Sequence, residues 1–180
     1  MRSQKYIDQE THVWRFDPGY SSVEFSIKKL FFFTVHGRFK VFDGAIVLDD
    51  SDVARSSVRT TLKADSIDTG NQNRNAQLKS KSFLDTERYP EITFISSSVA
   101  RGKDRDSLDV VGDLSIKGIS KNVPLAVNAI DRSRSPNGEE FVYYSATAEI
   151  DRCDFGLNAF KGVVGRKLKV TINVQASRKA

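Results

Sequence analysis

The stretch VVGDLSIKGISKNVPLAV, Val110 to Val127, sets apolar residues at every second position, breaks at Gly118 and a Ser-Lys-Asn cluster, and resumes the alternation up to Val127. A period of two is that of a half-buried antiparallel strand, because successive side chains of extended backbone point to opposite faces. The segment therefore reads as a hairpin, with Leu108, Val110, Leu114 and Ile116 on one inner face and Val123, Leu125 and Val127 on the next. The same pattern extends in both directions. Upstream, Ile92 and Phe94 oppose Thr93 and Ile95, with a charged tip, ARGKDRDS, before the hairpin. Downstream of the turn formers DRSRSPNGEE, Val142, Tyr144, Ala146, Ala148 and Ile150 share a face, and in the last strand Leu168, Val170, Ile172 and Val174 alternate with Lys167, Lys169, Thr171 and Asn173.

The first third behaves alike. After His12 to Phe16 and the turn DPGYSS, Val23, Phe25 and Ile27 alternate with Glu24, Ser26 and Lys28. Phe42, Ile46 and Leu48 share one side, with Gly44 between them where crowding would be relieved. Val58 and Leu62 follow on the next segment. Only TGNQNRNAQLKSKSFLDTERYP, residues 69–90, departs: helix formers from Ala76 to Lys81 predict one short helix, a plug over the end of a sheet. About eight strands joined mostly by short turns predict an all-β fold. A sandwich and an up-and-down barrel both satisfy the pattern, and hairpin-like sequential connections favour an eight-stranded antiparallel barrel with a short helical segment near one end, since full closure leaves no exposed edge.

A chain of 180 residues, 39% apolar and 28% charged, suits one soluble domain. Residues 1–11 read as a polar tail and 12–177 as the domain. The net charge of +5 is scattered rather than gathered on one face or interleaved with aromatics, which argues against nucleic acid. The longest apolar run, LFFFTV from Leu30 to Val35, is too short to cross a bilayer, so no stable membrane insertion is expected. The start, MRSQKYIDQETHVW, lacks an apolar signal core, which predicts a cytoplasmic protein, or a periplasmic one where a leader has been removed.

Catalytic signatures are missing from the sequence. His12 and His36, with the single Cys153, cannot assemble a structural zinc set, and DDSD at Asp49 to Asp52 lacks the glycine and distal glutamate of a calcium loop. There is no Gly-x-Ser-x-Gly and no phosphate loop. Cys153 stands beside Arg152, an arrangement that lowers a thiol pKa only where the sulfur is exposed, and otherwise marks a bystander. The chain is expected to be no enzyme and to need no metal or cofactor.

What remains is binding. The inward positions that would line a cavity are Val23, Phe25, Ile27, Ile46, Val58, Leu62, Ile92, Phe94, Val110, Leu114, Ala146, Ala148, Ile150, Val170 and Ile172. These uncharged, often modest side chains suit a hollow tube, although a dry, filled core gives the same alternation. Phe31, Phe32 and Phe33 cannot all enter one core and read as a loop over the barrel mouth or a lip for lipid entry, together with Leu78 and Phe160. Arg74, Lys79 and Lys81 could meet an anionic head group there.

Five ordered blocks resemble one family. VWRFDPGYSSVEFSIKKL matches an opening Trp, Asp-Pro and Ser-Val-x-Phe signature, and HGRFKVFDGAI a Gly-x-Phe-x-x-Phe-x-Gly block. SIDTGNQNRNAQLKSKSFLDTERYPEITF, VVGDLSIKGISKNVPLAV and DRCDFGL supply the other three. From about Val13 to Ala176 the chain resembles the YceI-like proteins, lipocalin-like bacterial barrels associated with polyisoprenoid binding. It departs from the family pattern at Tyr20 and Lys29, where many members have His, and in Arg74-Asn75-Ala76-Gln77-Leu78, where the block often reads Arg-Asp-x-His-Leu. The resemblance implies non-catalytic carriage of a long-chain apolar small molecule such as a polyisoprenoid, an isoprenoid quinone or an acyl chain. The alternative is a filled barrel acting as a stress-related protein-interaction module, and a homodimer stays open in either case.

Overall fold

The computed structural model describes residues 11–178. In chain order the strands are β1 (Thr11–Phe16), β2 (Ser22–Lys29), β3 (Phe33–Phe39), β4 (Phe42–Asp49), β5 (Ser57–Lys63), β6 (Ile67–Asp68), β7 (Glu91–Arg101), β8 (Ser107–Ile116), β9 (Ile119–Arg134), β10 (Glu140–Asp151) and β11 (Val164–Arg178). Helix α1 (Gln72–Lys79) lies between β6 and β7. The polar tail read at residues 1–11 lies outside the described residues except for Thr11, which opens β1.

Eleven strands fill eight positions, because three pairs are halves of single kinked strands. β2 pairs with β3 and β1 with β4, so β1–β2 and β3–β4 form one long hairpin. β5 and β6 extend that ladder along β4 and β3. From β5 the order runs through β7, β8, β9, β10 and β11, and β11 returns to pair with both β2 and β1. All pairs are antiparallel, and the result is a closed eight-strand up-and-down barrel, lipocalin-like as the sequence implies, in which β6 pairs on one side only, with the end of β3.

Two irregularities tune the inner face. Between β7 and β8 the register slips at Ser97, so that Ile92 and Phe94 before the bulge and Val99 after it all point inward despite the change of parity. Between β9 and β10 a second slip leaves Ile130 unpaired and 63% exposed.

The helix departs from expectation. It spans Gln72–Lys79 rather than 76–81, because the Asn71 side chain accepts from the Arg74 amide at 2.9 Å and caps it, while Ser80 turns extended and its hydroxyl bonds the Gln77 carbonyl. None of its residues is fully buried; the plug is the segment behind it, where Phe83 and Leu84 are.

At the opposite end, buried carboxylates tie down the strand ends. Asp49 accepts from the Ser51 hydroxyl at 2.7 Å and the Asp52 amide at 2.9 Å, and pairs with Arg55 at 2.8 Å. Glu140 bridges Arg134 and Arg178. The Arg178 and Arg132 guanidinium groups lie 5.0 and 5.2 Å from the ring centre of the fully buried Trp14. The Ser51 hydroxyl, above all, holds the Asp49 carboxyl below its ordinary range, as Arg134 and then Arg178 do for Glu140. A carboxylate with a lowered folded pKa stabilises the fold above the unfolded value, and that stability is lost as pH falls through the folded one. Urea midpoints are therefore expected to hold steady from pH ~7 to ~5 and to fall below pH ~4. Glu140→Gln should lower the neutral midpoint and flatten this acid limb; an unchanged acid limb in the variant would contradict the assignment.

Candidate ligand-binding cavity

The barrel is hollow. An apolar cavity of about 290 Å³ runs along its axis, which answers the question that alternation left open between an empty tube and a filled core. It reaches from Leu48, Val53 and Val174 at the Trp14 end to Ile27, Val164, Leu78, Phe83 and Leu84 at the helix end. All fifteen positions read from the sequence as inward line it.

Space survives inside a barrel containing several phenylalanines because their rings lie flat on the wall over glycines. Phe25 pairs directly with Gly37 on the neighbouring strand, and a Cβ at Gly37 would fall within 2.7 Å of the ring's Cε1. Gly44 makes the same room for Phe16, and Gly112 for Phe94, whose Cζ would lie 2.5 Å from an added Cβ. On β10, Ala146 and Ala148 keep the wall low beside Ile172 and Val170 of β11.

The mouth residues divide. Leu78 lines the cavity. Phe31, Phe32 and Phe33 stand at the helix end but line nothing: they are 83%, 85% and 64% exposed, because the β2–β3 hairpin carries its turn beyond the last inward residues, Ile27 and Val164. Phe160 is half exposed and stacks on Phe83, with ring centres 5.7 Å apart. Arg74 does not face the cavity either. Its Nε donates to Thr69 Oγ1 at 2.8 Å and an Nη to the Thr69 carbonyl at 2.9 Å, so the guanidinium braces the entry to its own helix.

Of the polar residues around the cavity, none of which is among the inward positions read from the sequence, Tyr144 and Arg152 are the bulkiest. Burial pushes the Tyr144 phenol above its ordinary pKa, with Arg132 opposing, so its hydroxyl stays neutral and able to donate or accept. Arg152 is buried at the helix end, on the turn that follows β10 and outside the alternating strand positions. Its Nε donates to the Gly165 carbonyl at 2.8 Å, one Nη to those of Ala159 at 2.8 Å and Leu157, and the other to Val164 at 3.0 Å. This clips the 157–165 loop over the barrel and directs Arg152 to carbonyls rather than to the half-buried Cys153. Apolar periodicity could not reveal it; only the DRCDFGL block marked the place.

A closed meander of eight strands around one apolar cavity defines the class: a lipocalin-like binding barrel. The YceI-like domain model matches residues 14–176, and the chain belongs to that family. Protein YceI of Escherichia coli O157:H7 is 34% identical over 153 residues, which is 85% of this chain and 79% of that protein. The crystal structure of Burkholderia cenocepacia BcnA superposes with a TM-score of 0.81 at 23% identity, over 89% of this chain and 98% of its own. A polyisoprenoid binding domain from Saccharophagus degradans shares the fold with a TM-score of 0.68 at 18% identity, over 92% and 98% of the two chains.

Gly37→Ala is expected to lower stability by about 1–3 kcal/mol, the usual cost of overpacking, by driving the Phe25 ring off the wall. Phe25→Leu in the same chain should restore much of the loss. Denaturant midpoints of the two single variants and the double variant check this, and strict additivity would show that ring and glycine are not coupled.

Proposed function

We propose that the protein binds and carries a long apolar lipid, a polyisoprenoid or isoprenoid quinone in preference to a polar solute, without chemistry on it. The apolar cavity carries this reading, since the only polar residues that border it are Glu24, Ser56, Ser57, Thr60, Thr93, Tyr144 and Arg152, against a lining otherwise apolar throughout. The Saccharophagus degradans barrel, described as a polyisoprenoid binding domain, supports the chemical class.

The volume bounds how the guest lies. A dry cavity of ~150 Å³ takes one benzene. A cavity of about 290 Å³ therefore holds on the order of two five-carbon units. At ~0.8 kcal/mol per buried CH₂, each unit contributes roughly 4 kcal/mol gross, so two units only begin to exceed the cost of association. A useful guest is longer, and its remaining length passes the Phe83–Leu84 plug at the helix end. The polar head stays outside at that end, where the Lys29 replacement changes what it meets.

The test is organic extraction of gently purified protein with mass spectrometry, followed by titration with prenyl alcohols of increasing length. Co-extracted prenyl lipid and affinity that rises with chain length to a plateau are expected. Ala148→Phe, which fills the cavity from its low wall, should weaken binding at least ~10-fold with the fold intact by circular dichroism. Absence of both co-extracted lipid and saturable binding would overturn the proposal.

A further inference from the structure

The helix end of the barrel presents an apolar rim that the cavity does not use. Leu30, Phe31, Phe32 and Phe33 are 47%, 83%, 85% and 64% exposed, and Phe160 and Val163, at 49% and 38%, belong to the neighbouring loop. The two segments are joined where the Leu30 amide donates to the Val163 carbonyl at 2.8 Å. Single exposed apolar side chains are ordinary, but this run is contiguous.

The backbone at the rim is strained as well. Leu30, Phe31 and Phe160 have φ of +49°, +64° and +56°, a region that bulky residues rarely occupy and that tight turns normally give to glycine or asparagine. No core contact compensates for Phe31 or Phe32. Such strain is characteristic of functional loops.

Charge decides the occupant. Exposed Lys28, Lys29 and Lys161 flank the aromatics, and none forms an ion pair among the described residues; Lys28 bonds only the Thr34 hydroxyl, at 2.9 Å. Arg166 and Lys167 are by contrast engaged by Asp151 and Glu149. No carboxylate occurs between Lys28 and Val35 or between Phe160 and Lys167. An apolar protein partner would bury these ammonium groups without compensation, whereas a bilayer interface accepts rings among its acyl chains and leaves the ammoniums at anionic head groups.

We propose that the Leu30–Phe33 turn with Phe160 and Val163 docks the barrel end-on, peripherally, to an anionic lipid bilayer. Docking brings the plugged end of the cavity to the membrane surface, so an apolar guest exchanges there without crossing bulk water. The docking itself needs no guest.

Co-sedimentation of the full chain with phosphatidylcholine vesicles, with and without phosphatidylglycerol, tests it. Binding is expected only with phosphatidylglycerol, to weaken with salt, and to fall at least ~10-fold in the Phe31→Ser/Phe32→Ser variant. Lys28→Gln/Lys29→Gln/Lys161→Gln should remove the salt dependence. Melting curves confirm that the variants fold, and prenyl alcohol titration in detergent-free buffer, expected unchanged in the serine variant, separates docking from the cavity's own function. No association with phosphatidylglycerol vesicles, or equal association of the serine variant, would overturn the proposal. So would self-association in vesicle-free solution that the serine variant abolishes, since a second copy would then cover the rim.

Discussion

Closure of the strand ring is the constraint on which everything else rests. Once β11 has returned to β1 and β2, every inward side chain shares one limited volume, and each must either fill it or lie against the wall. Phenylalanine resolves this by lying flat across glycine, a pairing that secures burial of a large ring while keeping the axis open. The glycines at 37, 44 and 112 thus contribute to the void through what they lack, and the small alanines of β10 add to it.

Much of this was legible in the sequence. Alternation identified the inner face of nearly every strand because a period of two maps directly onto a sheet with one buried side. It lost the trail where Ser97 shifts parity, which conceals Val99, and where one kinked strand reads as two, as in β1–β2 and β3–β4. Whether the middle was empty could not be read, since a pattern reports that a face is buried and not what covers it; packing of Phe25 on Gly37 depends on cross-strand register.

The polar features were the least legible. Tyr144 lies within an apolar alternation and differs from its neighbours only by a hydroxyl, and Arg152 is a charged residue in a place where charge is rarely buried. Three adjacent phenylalanine rings cannot share one core, and the turn raises them past the mouth rather than folding them over it. Arg74 resembled a ligand donor by type alone, and its nearest acceptor, Thr69, proved to be local.

Arg152 separates two kinds of closure in one molecule. The ring is held by a ladder of many backbone bonds, whereas the side-chain hydrogen bonds to the loop from Leu157 to Gly165, among the described residues, all come from a single guanidinium gripping four carbonyls. That end is fastened at a hub and the ring by a zipper, two kinds of fastening in one vessel.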